Sequence, residues 1–403
     1  MAATREFERI NMLLLNKQHL LQSSKTNNIV ETVEDILGLH STSPTTPYLS
    51  LLARSREFHK EGLERELYMR KRLGRIRCMR KTVFVLTKLL IPLAFAATRG
   101  TSEIASRQFA KYLGISESQY EKTARVILVL LKRQGMTTSE VKKALGGRLN
   151  VSAILNLMCD KGLLIRGETE KGWRSNLYRY HRFDQYFPDI NLDAYSQDEA
   201  RAMLVERYIA SYGPTTENDI CWWTGFPRSE VRSVLRSLEG ELASWKIAGL
   251  GSTHFATSSD ACLLDSRNLQ GAGTINMLPY LDPYVMGYKD RRRYVPTKHW
   301  NNIFDFAGNA TSTILVDGSI MGIWDYAEDP EPTVKLLFFE KVKGGLLDRI
   351  HCEAFRTGHF IADREVKVKE CTRMVPLTER TAGGVMTPLK ETTKRRGNPG
   401  EGR

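Results

Sequence analysis

The hydrophobic and polar positions near the start of the chain follow a helical period. Within residues 5–38 this period predicts two helices, the second of which ends at Gly38. Residues 40–47 follow, and their many hydroxyl groups predict a polar loop. Because proline is favoured in the first turn of a helix, Thr46-Pro47 predicts that another helix begins where this loop ends.

A shorter period, typical of strands, begins after this helix. Residues 70–81 hold seven cations and no acid. Alternation through Ile76 and Cys78, and again through Val83 and Val85, predicts a pair of strands with one basic face. Such a face would bind phosphate groups. The alternative is a solvated charged surface without a ligand.

Two segments in the middle of the chain read as copies of one unit. Residues 137–141 and 216–220 share the pattern Thr-x-x-acid-aliphatic, which predicts a capping box at the start of a short helix. Each is followed by a second predicted helix, at residues 151–160 and 228–238. This spacing is typical of a helix-turn-helix pair.

The first of these units continues into a predicted β-hairpin. Residues 162–165 and 173–180 read as its strands, and residues 168–172 as its turn. Two helices followed by a hairpin form a winged helix. Winged helices often bind nucleic acid, but many serve only as platforms for other proteins, and the composition does not decide which helix would enter a groove.

The period changes again in the last third of the chain. From residue 251 to 373 short apolar runs alternate with turn signals, which predicts a small β domain, either a barrel or a sandwich. Asp317-Gly318 predicts a tight hairpin, and residues 333–340 predict a strand. Residues 390–403 are rich in glycine, proline and cations, and predict a disordered tail.

The net charge of the chain indicates which class of molecule it binds. Among 403 residues, 59 are Lys or Arg and 46 are Asp or Glu, a formal net charge of +13. A cationic surplus of this size favours a polyanionic partner, with nucleic acid first, although some surpluses only confer solubility. The hydrophobic share of 41% is enough to build packed cores.

Other classes of protein lack their sequence signals. The most apolar stretch, residues 82–97, is short and is interrupted by Lys88 and Pro92, so no membrane helix is predicted. The start of the chain has no apolar signal core, and we expect a cytoplasmic protein, associated with the nucleoid if it is prokaryotic. The six cysteines lie far apart, so neither a structural zinc site nor a disulfide framework is expected. Phosphate-binding-loop, nucleophile-elbow and His-Glu-x-x-His motifs are absent from the sequence, and no cofactor or metal is implied.

Several short motifs resemble one family across nearly the whole chain, to about residue 373. They are Asn16-Lys17-Gln18-His19-Leu20-Leu21, Gly38-Leu39-His40-Ser41-Thr42, Tyr48-Leu49-Ser50-Leu51-Leu52-Ala53-Arg54, Gly172-Trp173-Arg174-Ser175-Asn176, Trp222-Trp223-Thr224-Gly225, and the run from Leu278-Pro279-Tyr280-Leu281-Asp282-Pro283-Tyr284 to Tyr288-Lys289-Asp290-Arg291. With these motifs the chain resembles the winged-helix DNA-binding-domain family that contains the bacterial alkylpurine DNA glycosylases AlkZ and YcaQ. The last run is the most specific of them.

This resemblance implies an α+β fold with three tandem winged-helix units and a C-terminal β-barrel. Together these would form a concave, positively charged channel for double-stranded DNA, in a protein that acts as a monomer. The implied boundaries are residues 1–115, 116–190 and 191–250 for the three units, 251–375 for the barrel and 376–403 for a disordered tail.

The family resemblance also places the candidate chemistry. In its glycosylase branch, activity resides in a Gln-x-Gln or Gln-x-Asp motif just after the glycine that ends the second helix, and here the matching residues are His40, Ser41 and Thr42. An N3- or N7-alkylated purine is cationic, so its glycosidic bond is already weak. A neutral His40 would accept a proton from the attacking water while Thr42 orients that water. No lysine lies in the motif, so a Schiff-base lyase step is not expected.

The same residues allow a second hypothesis. His40 would only form hydrogen bonds within the turn, and Thr42 or Ser43 would cap the next helix. The protein would then be a non-catalytic DNA-binding protein, such as a regulator or a lesion-sensing factor.

The residues predicted to contact DNA lie in the basic strand pair, the hairpin of the middle unit and the run before the β domain. They are Arg54, Arg75, Arg77, Arg80, Lys81, Arg166, Lys171, Arg174, Asp282, Tyr284, Tyr288, Asp290 and Arg291. An alternative applies to the last group: Asp290 and the arginines at 291–293 would form structural ion pairs that fix the barrel to the helices, and Asp282 would organise a turn before Pro283.

Overall fold

Helices occur throughout the part of the chain that the computed structural model describes, which comprises residues 2–147, 150–265, 273–373 and 375–379. They are α1 Ala2–Lys17, α2 Ile29–Asp35, α3 Thr46–Arg54, α4 Lys60–Glu64, α5 Leu90–Tyr112, α6 Glu117–Leu130, α7 Thr138–Ala144, α8 Val151–Asp160, α9 Phe183–Tyr186, α10 Gln197–Tyr212, α11 Glu217–Thr224, α12 Arg228–Ser237, α13 Ser258–Asp265, α14 Pro283–Met286, α15 Trp300–Ile303 and α16 Gly345–Ala362. A π-helical turn, Arg65–Met69, continues α4, and 3-10 turns lie at Met79–Lys81, Thr297–His299 and Leu377–Glu379. No helix in these ranges combines the length and the apolar character needed to cross a membrane.

The strands form three sheets, which together with the helices give a mixed α+β structure. They are β1 Leu39–His40, β2 Leu73–Arg77, β3 Val83–Thr87, β4 Met136–Thr137, β5 Leu164–Thr169, β6 Tyr178–Arg182, β7 Thr215–Thr216, β8 Leu242–Lys246, β9 Thr253–Thr257, β10 Ile275–Leu278, β11 Thr313–Val316, β12 Ser319–Ala327, β13 Thr333–Phe338 and β14 Lys367–Glu370. Their orders are β1-β3-β2-β5-β6-β4, β7-β9-β8 and β10-β11-β12-β13-β14.

The first predicted helices and loop are confirmed. Helix α2 begins at Asn28, whose side chain accepts from the Glu31 backbone amide, and α3 has a proline in its first turn. After α2 the chain reverses through Leu37 and Gly38, whose φ angles are 53° and 98°. A Cβ atom at Gly38 would lie 2.4 Å from the Leu86 side chain, so only glycine fits this reversal. The loop that carries the candidate motif therefore starts from a fixed point.

The predicted strand pair is confirmed as β2 and β3, but its basic face is not a surface. Arg75 of β2 is buried and pairs across the sheet with Arg166 of β5. This pairing joins the N-terminal strands and the hairpin of the middle unit into one six-stranded sheet. The sequence pattern showed alternation but could not show that a second hairpin covers the same edge.

Both predicted capping boxes are present. The Thr137 hydroxyl accepts from the Glu140 amide, and the Thr216 hydroxyl accepts from the Asp219 amide, while each carboxylate accepts in return from the threonine backbone. Each box opens a pair of helices, α7 and α8 or α11 and α12, and a hairpin follows each pair. The first hairpin, β5–β6, is the predicted one, although its second strand begins at Tyr178 rather than at residue 173.

The last part of the described chain is an open sheet rather than a closed barrel. Strands β10 and β14 lie at its two edges, and within the described ranges neither pairs with a further strand. The predicted hairpin joins β11 to β12 through Asp317 and Gly318, both with positive φ. Helix α16, which the sequence pattern did not predict, packs on this sheet through Ile350, Ala354 and Ile361. Residues 390–403 lie outside the described ranges.

Candidate nucleic-acid interface and active site

The candidate motif lies on the short edge strand β1 and the loop that leads from it to α3. His40 pairs with Phe84 of β3 across the sheet. The Ser41 backbone amide donates to the Val83 carbonyl at 2.7 Å and extends this pairing by one residue. The loop is therefore attached to the six-stranded sheet before it reaches solvent.

His40 packs inside the protein. Its side chain is 3% exposed, and its ring centroid lies 4.2 Å from that of Phe84. Nδ1 makes no hydrogen bond in the described structure. Burial, reinforced by the positive charge of Arg80, lowers the pKa of His40 to about 3. A buried imidazole with so low a pKa is a weak base, which speaks against the expectation that His40 accepts the proton of the attacking water.

Ser41 is held from behind by a buried arginine. Arg75 Nε donates to Ser41 Oγ at 3.2 Å, and Arg75 Nη1 donates to Tyr68 Oη at 2.8 Å and to the Gly167 carbonyl at 3.3 Å. The Arg75 guanidinium also lies 5.4 Å from the ring centroid of Tyr178. Arg75 therefore fixes the loop to the hairpin of the middle unit and does not face DNA.

Thr42 is the exposed residue of the motif. Its hydroxyl has no hydrogen-bond partner among the described residues and points to no helix cap, because the residue at the N-cap of α3 is Thr45 and no side chain caps that helix. Ser43 and Thr45 instead share a hydrogen bond of 3.1 Å. The hypothesis that Thr42 or Ser43 caps α3 is therefore wrong.

Arg80 lies at the turn between β2 and β3, next to this loop. Its φ angle is 53°, and its guanidinium lies 3.9 Å from the ring centroid of Trp222. Within the described structure no acceptor takes a hydrogen bond from this guanidinium. Burial and the nearby Arg291 lower the pKa of Arg80 to about 10. A bound anion would offset both the burial of the charged guanidinium and its repulsion by Arg291.

Arg291 contacts the same tryptophan. It is buried, its Nε donates to the Tyr288 carbonyl at 2.9 Å, and its guanidinium lies 4.8 Å from the Trp222 ring and 4.2 Å from the Phe304 ring. Burial lowers its pKa as well. Trp222 thus contacts two guanidinium groups.

A short hairpin that sequence reasoning missed completes the site. Phe304 and Ala310 form an isolated bridge, and residues 304–310 between them are named here the 304–310 hairpin. A Cβ atom at Gly308 would lie 3.7 Å from Arg291 Nη1, so the hairpin packs against the arginine. Phe306 at its tip is 91% exposed. An aromatic ring presented this way on a fixed turn is available to stack on a base.

Four residues expected to contact DNA are buried in the core instead. The Arg54 guanidinium donates to both carboxylate oxygens of Asp282, each at 2.8 Å. Tyr284 Oη donates to the Gly318 carbonyl, and Tyr288 Oη to the Tyr212 carbonyl. Their burial corrects the expectation of DNA contact, because none of the four side chains reaches the surface. The alternative for Asp282 holds: it caps α14 by accepting from the Tyr284 amide.

Several predicted cations are held by partners within the protein. Arg77 donates to Asp160 at 2.9 Å, and Arg166 donates to Asn156 at 2.7 Å. Lys81, by contrast, is exposed. Among the predicted residues of β2, β3 and their turn, Arg80 and Lys81 therefore remain available to a ligand.

The hairpin of the middle unit packs against the C-terminal part of the protein. Arg174 donates to Glu328 at 3.0 Å, and the Trp173 ring packs between Tyr48 and Phe360 at 5.1 and 5.7 Å. Trp173 therefore packs against α3 and α16 rather than under its own hairpin.

Two further predicted residues stay at the surface. Lys171, at the tip of the same hairpin, is exposed. Asp290 is half-buried and pairs with Arg292 at 2.6 Å. The structural ion pair considered for Asp290 is present, with Arg292 as its partner.

An unpaired guanidinium on a tryptophan, and an exposed phenylalanine on the hairpin that packs against a second arginine, are features that nucleic-acid-binding proteins use. The chain belongs to the AlkZ-like DNA glycosylase family, whose model matches residues 33–360. Among solved structures it is similar to the DNA glycosylase AlkZ of Streptomyces sahachiroi, with a TM-score of 0.73 and 16% identity over 90% of this chain and 98% of that one. That likeness shows the fold. No curated protein matches the chain.

Proposed function

We propose that the protein is a monofunctional DNA glycosylase that hydrolyses the N-glycosidic bond of alkylated purines in duplex DNA. Membership of the AlkZ-like family over residues 33–360 carries this proposal, because the matched region includes both the loop with Thr42 and the 304–310 hairpin. The protein acts as a monomer, binds a damaged duplex and leaves an abasic site.

The architecture proposed for duplex binding is a set of winged-helix units followed by the C-terminal sheet. The elements α7, α8 and β5–β6 have this order, and α11, α12 and β8–β9 repeat it. Helix α12 adds a cationic face with exposed arginines every four residues, Arg228, Arg232 and Arg236, of which the first two share the single carboxylate partner Glu217. Such a face supplies phosphate contacts without reading sequence.

Hydrolysis of this glycosidic bond requires few catalytic groups from the loop that carries Thr42. A purine alkylated at N3 or N7 carries a positive charge and departs as a neutral base, so the enzyme has chiefly to orient a water and stabilise the sugar cation. The free hydroxyl of Thr42 is placed to orient that water. His40 supports the loop by packing on Phe84.

The test is release of free base from a duplex that carries N7-methylguanine or N3-methyladenine. Wild type is expected to release the base, and Thr42→Val, which keeps the size of an exposed side chain, to release it ~10²-fold more slowly. Thr101→Val, at an exposed position of α5, serves as the matched control and should behave as wild type. Equal rates for wild type and Thr42→Val would remove Thr42 from the mechanism.

A second function, binding without catalysis, is favoured by one observation: the residue at the first position of the family motif, His40, is buried and has a pKa of about 3. A wild type that binds both damaged duplexes tightly and releases neither base would support this reading and contradict the first.

Arg80→Met gives a separate prediction for binding. The methionine still packs on Trp222 but removes the unpaired charge. We expect duplex affinity to fall ~10-fold for every sequence, and the slope of log affinity against log salt to become shallower by about one. Fluorescence anisotropy across a salt series measures both quantities. Arg107→Met is the control, since Arg107 already pairs with Glu103 and Glu117; an equal loss in both variants would mean that only net charge matters.

A further inference from the structure

A carboxylate is fixed at the base of the 304–310 hairpin. One oxygen of Asp305 accepts from the Asn309 backbone amide at 2.8 Å, and the other accepts from Asn309 Nδ2 at 2.9 Å. The backbone closes the same turn, with the Asp305 amide donating to the Asn309 carbonyl at 3.1 Å. The side chain is half-buried, so it is held in place and still reaches solvent.

Asp305 directly follows Phe304, whose ring centroid lies 4.2 Å from the Arg291 guanidinium, and within the described residues it forms no ion pair with Arg80 or Arg291. Its negative charge opposes the lowering of the pKa of Arg80 and of Arg291, and it contributes to the raised pKa of Tyr280. Among the described residues, Asp305 is the carboxylate whose negative charge raises the pKa of Arg80. Opposite charges are therefore held apart in this part of the protein, whereas the buried carboxylate of Asp282 is closed into an ion pair with Arg54.

Such a separation is complementary to a nucleotide in the transition state of glycosidic cleavage. The backbone phosphate is anionic and fits Arg80, with the buried Arg291 adding positive charge behind it, while the sugar becomes an oxocarbenium cation and fits a carboxylate. The loop itself offers no negative charge, since it reads His40, Ser41, Thr42. We propose that Asp305, supplied from the last part of the chain, is the catalytic carboxylate of this site. This inference rests on the proposed glycosylase function.

The step balances without a metal or a redox partner. The bond from C1′ to the ring nitrogen breaks, and its electron pair neutralises the charge of the alkylated purine, which leaves. The sugar cation that remains faces Asp305. The oxygen of a water held by Thr42 bonds to C1′, and its proton passes to the Asp305 carboxylate and then to solvent.

The first test compares Asp305→Asn with Asn309→Ala in single-turnover base release and in duplex binding. The asparagine keeps the shape of the side chain and its ability to accept from the Asn309 amide, but removes the charge. Asn309→Ala removes the side-chain hydrogen bond and leaves the charge. We expect Asp305→Asn to slow release ~10²–10³-fold with duplex affinity unchanged or increased, and Asn309→Ala to slow it less than ~10-fold. Equal losses in both variants would show that Asp305 only shapes the turn.

The second test measures whether the negative charge of Asp305 favours the binding of a cationic sugar analogue. Wild type should bind a duplex with a cationic pyrrolidine abasic analogue more tightly than one with a neutral tetrahydrofuran analogue, and Asp305→Asn should lose this preference while Asn309→Ala keeps it. Retention of the preference by Asp305→Asn overturns the inference but leaves the glycosylase function standing. A wild type that releases no base and shows no preference overturns the glycosylase function itself.

Discussion

Arg54→Met is expected to lower the free energy of unfolding by about 3–5 kcal/mol, because it leaves Asp282 charged and unpaired in the core. Neither side chain of this pair is exposed, and the two N–O distances of 2.8 Å make it bidentate. Asp282 also accepts from the Ser50 hydroxyl at 2.7 Å and caps α14. Loss of the arginine therefore disturbs the junction between α3 and the start of the last sheet. Urea denaturation followed by circular dichroism measures the change.

Arg99→Met is the matched control for this pair. Arg99 donates to Asp193 at the same distance, 2.8 Å, but the two side chains are 48% and 76% exposed. Its removal should cost less than about 1 kcal/mol. The double variant Arg54→Met, Asp282→Leu should recover part of the lost stability, since no charge then remains buried. If Arg54→Met instead leaves stability unchanged and abolishes duplex binding, Arg54 contacts DNA after a rearrangement that this structure does not contain.

Elements set by local chemistry could be predicted from the sequence. The capping boxes at Thr137 and Thr216 and the Asp317-Gly318 hairpin depend on residues within four positions of each other, and all three form. Elements that depend on distant partners could not. The open last sheet is covered by α16, whose apolar positions contact strands β10 and β13, and no local pattern distinguishes a covered sheet from a closed barrel.

In the candidate site, too, features set by local residues could be predicted, whereas features set by distant partners could not. The family motif located the loop and its exposed Thr42, but it could not reveal that His40 points inward onto Phe84. A cation in the sequence also gives no sign of its partner: Arg77 meets Asp160 across 83 positions, and Arg54 meets Asp282 across 228. Sequence reasoning therefore overcounted the cations that are free to bind DNA. The 304–310 hairpin gave no signal, because its single bridge is too short for any strand pattern.

His40→Gln is expected to remove part of the acid sensitivity of the fold. Burial holds the pKa of His40 at about 3 in the folded protein, whereas an unfolded histidine titrates near 6.5. Below pH 6.5 the unfolded chain therefore takes up a proton that the folded protein does not, and stability falls as the pH drops from 6.5 toward 3. The slope from this one group is about 1.4 kcal/mol per pH unit, present in wild type and absent in the variant.

The measurement is the difference in free energy of unfolding between wild type and His40→Gln from pH 8 to pH 5, because the acids common to both proteins then cancel. Above pH 7 the difference should be constant, and below 6.5 wild type should lose stability relative to the variant. His359→Gln, at an exposed position of α16, controls for the removal of a histidine as such. A flat difference for His40→Gln across the whole range would mean that His40 is open to protons, and the proton-accepting role first expected of it would return.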